Sequence, residues 1–224
     1  METVCFEAPK PIKTYGFLSL IFAPQSMMSF ETLTALALFA FVSSATLGPN
    51  NLMLMASGAN FGFWRSVPHM AGISIGFIVM MFAVGSGLTQ LFDRFPAIYD
   101  ALQLASIVYM LWLAWKIAHA APLTKDVDAG TPMSFLQAAG FQWVNPKAWA
   151  MALTAVTVYV GDTSLLWLGV AALIFGVINL PSVSIWTLAG QQLQRLLTNP
   201  RRLAIYNWTM AALLVLSLYP VLGF

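Results

Sequence analysis

From Ser29 onward the chain alternates long apolar runs with short polar punctuation. Runs that are apolar on every side and bounded by polar turns predict membrane-length helices rather than strands. Six of them are delimited, at about 30–47, 67–91, 97–118, 135–160, 164–189 and 203–221. Local signals agree with these bounds. Ser29 can cap the first helix, and Glu31 in its first turn suits the helix dipole. Ser66 with Pro68, Thr131-Pro132 and Asn199-Pro200 read as further helix starts. Two runs are interrupted. Gly48-Pro49-Asn50-Asn51 closes the first, and Asn145-Pro146-Lys147 lies deep in the fourth.

Within a bilayer, backbone groups freed by a break must be satisfied by protein or by water in a cavity. Paired amides at that depth are kept for binding or for helix contacts. Corresponding breaks in two halves of a chain point to a transporter's substrate site. A shift of 97 residues places Pro49 on Pro146 and lays the second span on the fifth. Three spans per copy is an odd number, so the second copy must enter the membrane with opposite polarity. The expected fold is an all-α integral membrane protein of about six transmembrane helices. These form two inverted three-helix repeats, about 29–119 and 132–224, with broken helices near 48–51 and 145–147. The segment 49–66 reads as a connector, and Gln191 and Gln192 as part of the loop after the fifth span.

Composition sharpens the class. Of 224 residues, 59% are hydrophobic and 8% charged, against about 25% charged in a soluble domain. The lack of β alternation argues against an outer-membrane barrel. Positive residues sort by side: the connectors after spans one, three and five hold Arg65, Lys116, Lys125, Arg195, Arg201 and Arg202. Those after spans two and four hold only Arg94, so the odd connectors are expected to be cytoplasmic and the C-terminus periplasmic. Lys10 and Lys13 dissent, but they belong to a distinct leader, residues 1–28, read as flexible, surface-lying or a mis-assigned start. If the first break were a re-entrant hairpin, the spans would number five and the N-terminus would be inside. Basic residues nowhere cluster among aromatics, so a lipid bilayer is the expected partner and nucleic acid is not. A single cysteine, Cys5, permits no intrachain disulfide and no metal site by itself. No cofactor is expected.

The residues point away from catalysis. Gly72-Ile73-Ser74-Ile75-Gly76 matches a nucleophile-elbow spacing, but that elbow needs a strand-to-helix turn and triad partners. On a helix, Gly72 and Gly76 instead form the small-residue spacing that lets helices approach closely. His69 is five residues from Ser74, about 140° around the helix, and cannot easily serve as its base. Asn179 reads as an interhelical hydrogen-bonding residue. The competing non-enzymatic reading is a membrane scaffold in which the breaks only shape packing.

Several blocks in a fixed order carry a resemblance. Gly48-Pro49-Asn50-Asn51, then Ala56-Ser57-Gly58, Gly62-Phe63, Pro68-His69 and Gly72 resemble the N-terminal signature of the LysE/RhtB amino-acid exporters. Tyr109 to Lys116, Phe135-Leu136-Gln137 and Asn145-Pro146-Lys147-Ala148 are similar to further family blocks. The Trp112 to Ala118 segment looks closest to cysteine/O-acetylserine exporters. The resemblance implies export of amino acids or their derivatives across the bacterial inner membrane, driven by proton motive force. A small zwitterion needs a partner for each charge. Gly48, Pro49, Asn50, Asn51, Asn145, Pro146 and Lys147 are the candidate substrate-binding residues. Lys147 and helix N-terminal N–H groups would hold the carboxylate, and freed carbonyls and amide oxygens the ammonium. The alternative role for Lys147, the only charge deep in a predicted span, is snorkelling or bonding to a loose carbonyl. Proton coupling would fall to His69, Lys147, Glu31 or the substrate itself, since no acid lies in the middle of a span. A homodimer is a further candidate assembly.

Overall fold

The computed structural model describes residues 29–120, 131–160, 165–194, 196–197 and 199–219. The leader 1–28 and the polar loop 121–130 lie outside them. All regular structure among the described residues is helical.

Helix α1, Phe30–Ala45, starts as the sequence predicts, with Ser29 Oγ accepting from the Thr32 N–H at 3.1 Å. Gly48 is fully extended and ends this segment, and Pro49, with its preset φ, opens helix α2, Pro49–Phe61. The expected connector is thus itself a helix, bent 50° from α1. Its apolar periodicity is hidden because nearly every side of it is buried. Gly62, at φ 80°, makes the sharp joint to helix α3, Phe63–Ala83, a conformation open chiefly to glycine. Ser66 therefore does not cap α3. It lies in the first turn, its hydroxyl donating to Gly62 O at 2.8 Å.

A π-helical turn at Val84–Leu88, kinked at Gly87, leads to the short helix α4, Thr89–Arg94, and α5 follows at Pro96–Ala118. Helix α6, Phe135–Phe141, is capped by Ser134 with Gln137 in a reciprocal capping box, not by Thr131. The second break follows: a 3₁₀ turn at Gln142–Val144, then Asn145, then helix α7, Pro146–Thr154, extended by a π turn at Ala155–Val160. Helix α8, Leu165–Gln194, absorbs Gln191 and Gln192 into its last turns. There Gln191 Oε1 accepts the Phe63 N–H at 2.6 Å, closing the joint after α2. Helix α9 is Pro200–Leu216, capped by Asn199.

By length and apolarity three helices can cross a membrane among the described residues, or four if the bent pair α1–α2 counts as one span. The three other expected spans are shorter here: α1 is 16 residues, α9 is 17 residues, and the run 135–160 is divided at Asn145. Helix α1 packs on α8 and α6 on α3, while α3 pairs with α8 and α5 with α9. The outer faces stay apolar, with Leu104, Val108, Leu173, Val177 and Ile185 exposed. Lipid is as apolar as these side chains, so association rests on close packing rather than on hydrophobic burial. Small residues supply it. A Cβ on Gly72 would lie 2.3 Å from Phe135 O, and one on Gly76 2.6 Å from Ala139 Cα, so this pair seats α6 on α3. A tighter seam joins α2 to α8. A Cβ on Gly58 would meet Thr187 O at 2.0 Å, and one on Gly190 would meet Met55 O at 2.0 Å.

Candidate functional site

The two breaks meet. At the first, Asn51 Nδ2 donates to Ser44 O and Thr46 O, both at 2.8 Å, satisfying carbonyls left over where α1 stops. At the second, Asn145 Oδ1 accepts the Lys147 N–H at 3.1 Å and caps α7. Ser106 on α5 donates its hydroxyl to Val144 O, another carbonyl freed by that break. The Lys147 side chain then crosses to the first break. Its Nζ donates to Thr46 O and Thr46 Oγ1 at 2.9 Å and to Leu47 O at 3.2 Å. Of the two roles open to Lys147 in the sequence, the structure places it on loose carbonyls. Gly48 makes this crossing fit, because a Cβ there would lie 2.6 Å from Lys147 Cδ.

A reciprocal amide pair ties the halves together. Asn50 Nδ2 donates to Gln142 Oε1 at 2.9 Å, and Gln142 Nε2 donates to Asn50 Oδ1 at 3.2 Å. Gln142 is fully buried. Removing one member strands the other's polar groups, whereas removing both removes the conflict. A double-mutant cycle with Asn50→Ala and Gln142→Ala is expected to give a coupling of about 1 kcal/mol in thermal unfolding of the purified protein. Additive losses would mean that the pair does not hold the breaks together.

Between the breaks lies a cavity of about 30 Å³, bordered by Ser44, Asn50, Asn51, Asn145, Lys147 and Asn179 over an apolar floor of Ile73 and Phe77. That volume suits one water-sized group. Ser44 Oγ, buried here, has no hydrogen-bond partner among the described residues. Asn179 Nδ2 on α8 donates to Ser74 Oγ on α3 at 3.2 Å, and Asn179 also borders this niche. Gly48 and Lys147 border a second, far larger cavity of about 860 Å³, together with Pro49 and Pro146. Every predicted substrate-binding residue therefore borders one or both spaces, and Lys147 stands where they adjoin.

The two coupling candidates separate. His69 is 2% exposed, and both ring nitrogens lack a hydrogen-bond partner among the described residues. It lies four residues, about one turn, before the niche residue Ile73 on α3, hence on the same helix face. Glu31 is exposed in the first turn of α1, about 20 Å along that helix from the break, and is not brought to the site. Ser44, Thr46 and Gln142 were not singled out as site residues by the sequence. Their signal was small polar side chains just ahead of the first break and an amide three residues before the second.

The family model described as LysE type translocator matches residues 41–218, which include both breaks. A cysteine/O-acetylserine efflux protein of Klebsiella pneumoniae subsp. pneumoniae is 34% identical over 189 residues, covering 82% of this chain and 93% of the relative. One from Escherichia coli strain K12 is 31% identical over 166 residues, covering 73% and 85% respectively. No solved structure matches the chain significantly. With a family match across both breaks and relatives aligned along most of their length, this chain belongs to the LysE-type translocator family.

Proposed function

We propose that this protein is an inner-membrane secondary exporter of amino acids or amino-acid derivatives, of the cysteine and O-acetylserine class named for its relatives. The observation that carries the reading is the meeting of two helix breaks around a polar niche, with one ammonium at its border. A zwitterion can engage this arrangement at three points. Its ammonium fits the one-water niche, where Ser44 Oγ offers an acceptor without a partner among the described residues. Its carboxylate takes Lys147 Nζ in place of three neutral oxygens, since an opposite full charge adds Coulomb attraction that neutral oxygens lack. Its side chain extends into the larger cavity.

The pairings of α1 with α8 and α6 with α3, and of α3 with α8 and α5 with α9, are those an inverted repeat with six spans would produce. With the C-terminus periplasmic, the larger cavity lies toward the release side, because Phe92, Leu102 and Tyr219 border it. Export would be coupled to proton entry. His69, buried one turn from the niche and without a hydrogen-bond partner among the described residues, is the coupling residue this reading selects, with Glu31 confined to a peripheral role.

Cells overproducing the protein are expected to accumulate external cysteine or O-acetylserine in a panel that includes homoserine, threonine, leucine and basic amino acids. Ser44→Ala deletes a hydroxyl that makes no described bond, so it should leave folding intact and weaken export several-fold. If no amino acid in the panel accumulates above vector controls, the molecule is a scaffold and the transport reading fails.

A further inference from the structure

The larger cavity is oversized for the small solutes named for the relatives. About 860 Å³ falls in the range of about 300–1,000 Å³ that encloses drug-sized ligands. Four aromatic side chains, Phe92, Trp143, Trp149 and Tyr219, stand in a largely apolar lining. Trp149 is the hub, with the Phe92 ring 5.2 Å away and the Trp143 ring 6.2 Å away, both edge-on. Such rings offer faces and edges to a flat apolar guest. Among the described residues Lys147 is the only charged side chain that borders the cavity, and no described Asp or Glu borders either space. The hydrogen-bond partners of Lys147 Nζ are all neutral oxygens. An anion entering from the cavity therefore meets one cation and no opposing carboxylate among the described residues, while an α-ammonium meets only ring faces, a weaker cation–π attraction, and no described counter-charge. Size, aromatic lining and charge all select the same guest.

We infer that this cavity is a binding site for aromatic monocarboxylates, with the carboxylate on Lys147 Nζ and the ring against Trp149, and that an α-amino group is not required. The inference rests on the reading of Lys147 as the carboxylate's partner, and it widens the ligand class from small zwitterions to flat organic anions. Trp143 and Trp149 form the specificity wall, and Ala150, which opens onto the cavity from α7, marks how much room the guest has.

The test uses the full chain in lipid nanodiscs with 2-naphthoate as probe and empty nanodiscs as the baseline. Saturable binding of one naphthoate per chain is expected, weakened at least tenfold by Ala150→Trp, which places a bulky ring in the guest's space beside Trp149, and by Lys147→Met. On the unaltered protein, naphthalene-2-carboxamide, of the same shape without the charge, should bind at least tenfold more weakly. This comparison needs no variant to fold. Equal affinity for carboxylate and amide would overturn the inference, as would uptake no greater than that of empty nanodiscs, which would make the cavity a lipid groove. Cysteine and O-acetylserine export, measured in parallel, separates the two readings. Export that depends on Lys147 without naphthoate binding removes this inference alone. Naphthoate binding without any amino-acid export removes the proposed function and leaves the site.

Discussion

Gly190→Ala is expected to be, with Gly58→Ala, among the most damaging single-methyl additions in the bundle. Its Cβ would stand 2.0 Å from Met55 O, a backbone atom that no side-chain rotation can move aside. The helices α2 and α8 must then part, and parting disturbs the reciprocal contact at Gly58 against Thr187 O. Overpacking of this kind typically costs about 1–3 kcal/mol and occasionally more, and a backbone collision belongs at the upper end. For a chain of this length, a loss of about 3 kcal/mol corresponds to a fall of about 6–12 °C in the unfolding midpoint. The comparison is Gly169→Ala on α8 itself, where a new Cβ meets nothing within 4 Å and should be neutral or stabilising by up to about 1 kcal/mol. Equal midpoints for the two variants, measured in detergent, would show that the seam is looser than described.

Lys147→Met should reduce export about 10- to 100-fold. A hydrogen bond to a charged group contributes about 1.5–3 kcal/mol, and each 1.4 kcal/mol is tenfold. The lysine also satisfies Thr46 O and Leu47 O, so the variant loses stability as well. Thr46→Val separates these effects, because it deletes one oxygen acceptor of Lys147 while leaving the cation and both carbonyls. It should keep most of the export that Lys147→Met loses. Similar loss in both variants, assayed at matched protein levels in membranes, would make the tether rather than the charge the functional element.

How far the sequence reaches is decided by what leaves a periodic or chemical trace. The Gly48-Pro49 and Asn145-Pro146 breaks were legible because proline and glycine act locally on the backbone. Their meeting in space was legible as an expectation because amides deep in apolar runs need partners. Helix α2 was not legible, since a segment buried on nearly all sides, carrying Asn50, Asn51, Ser57 and Asn60, shows no apolar stripe. The cap at Ser134 was missed for a different reason. Thr131-Pro132 offers an equally good local start, and only the Gln137 reciprocal bond favours Ser134. Lys147 read equally well as a ligand for carboxylate or for carbonyl, because one sequence position cannot say which acceptor lies opposite.

The notched contact between α2 and α8 also limits motion. Each helix presses a carbonyl into the gap left by the other's glycine, at Gly58 and at Gly190. Sliding along the common axis would drive those oxygens into neighbouring Cα positions, so shear is blocked in both directions. The two rods must travel as one rigid lever or separate entirely, and the kink at Gly62, where α2 meets α3, is a joint on which such a lever would turn.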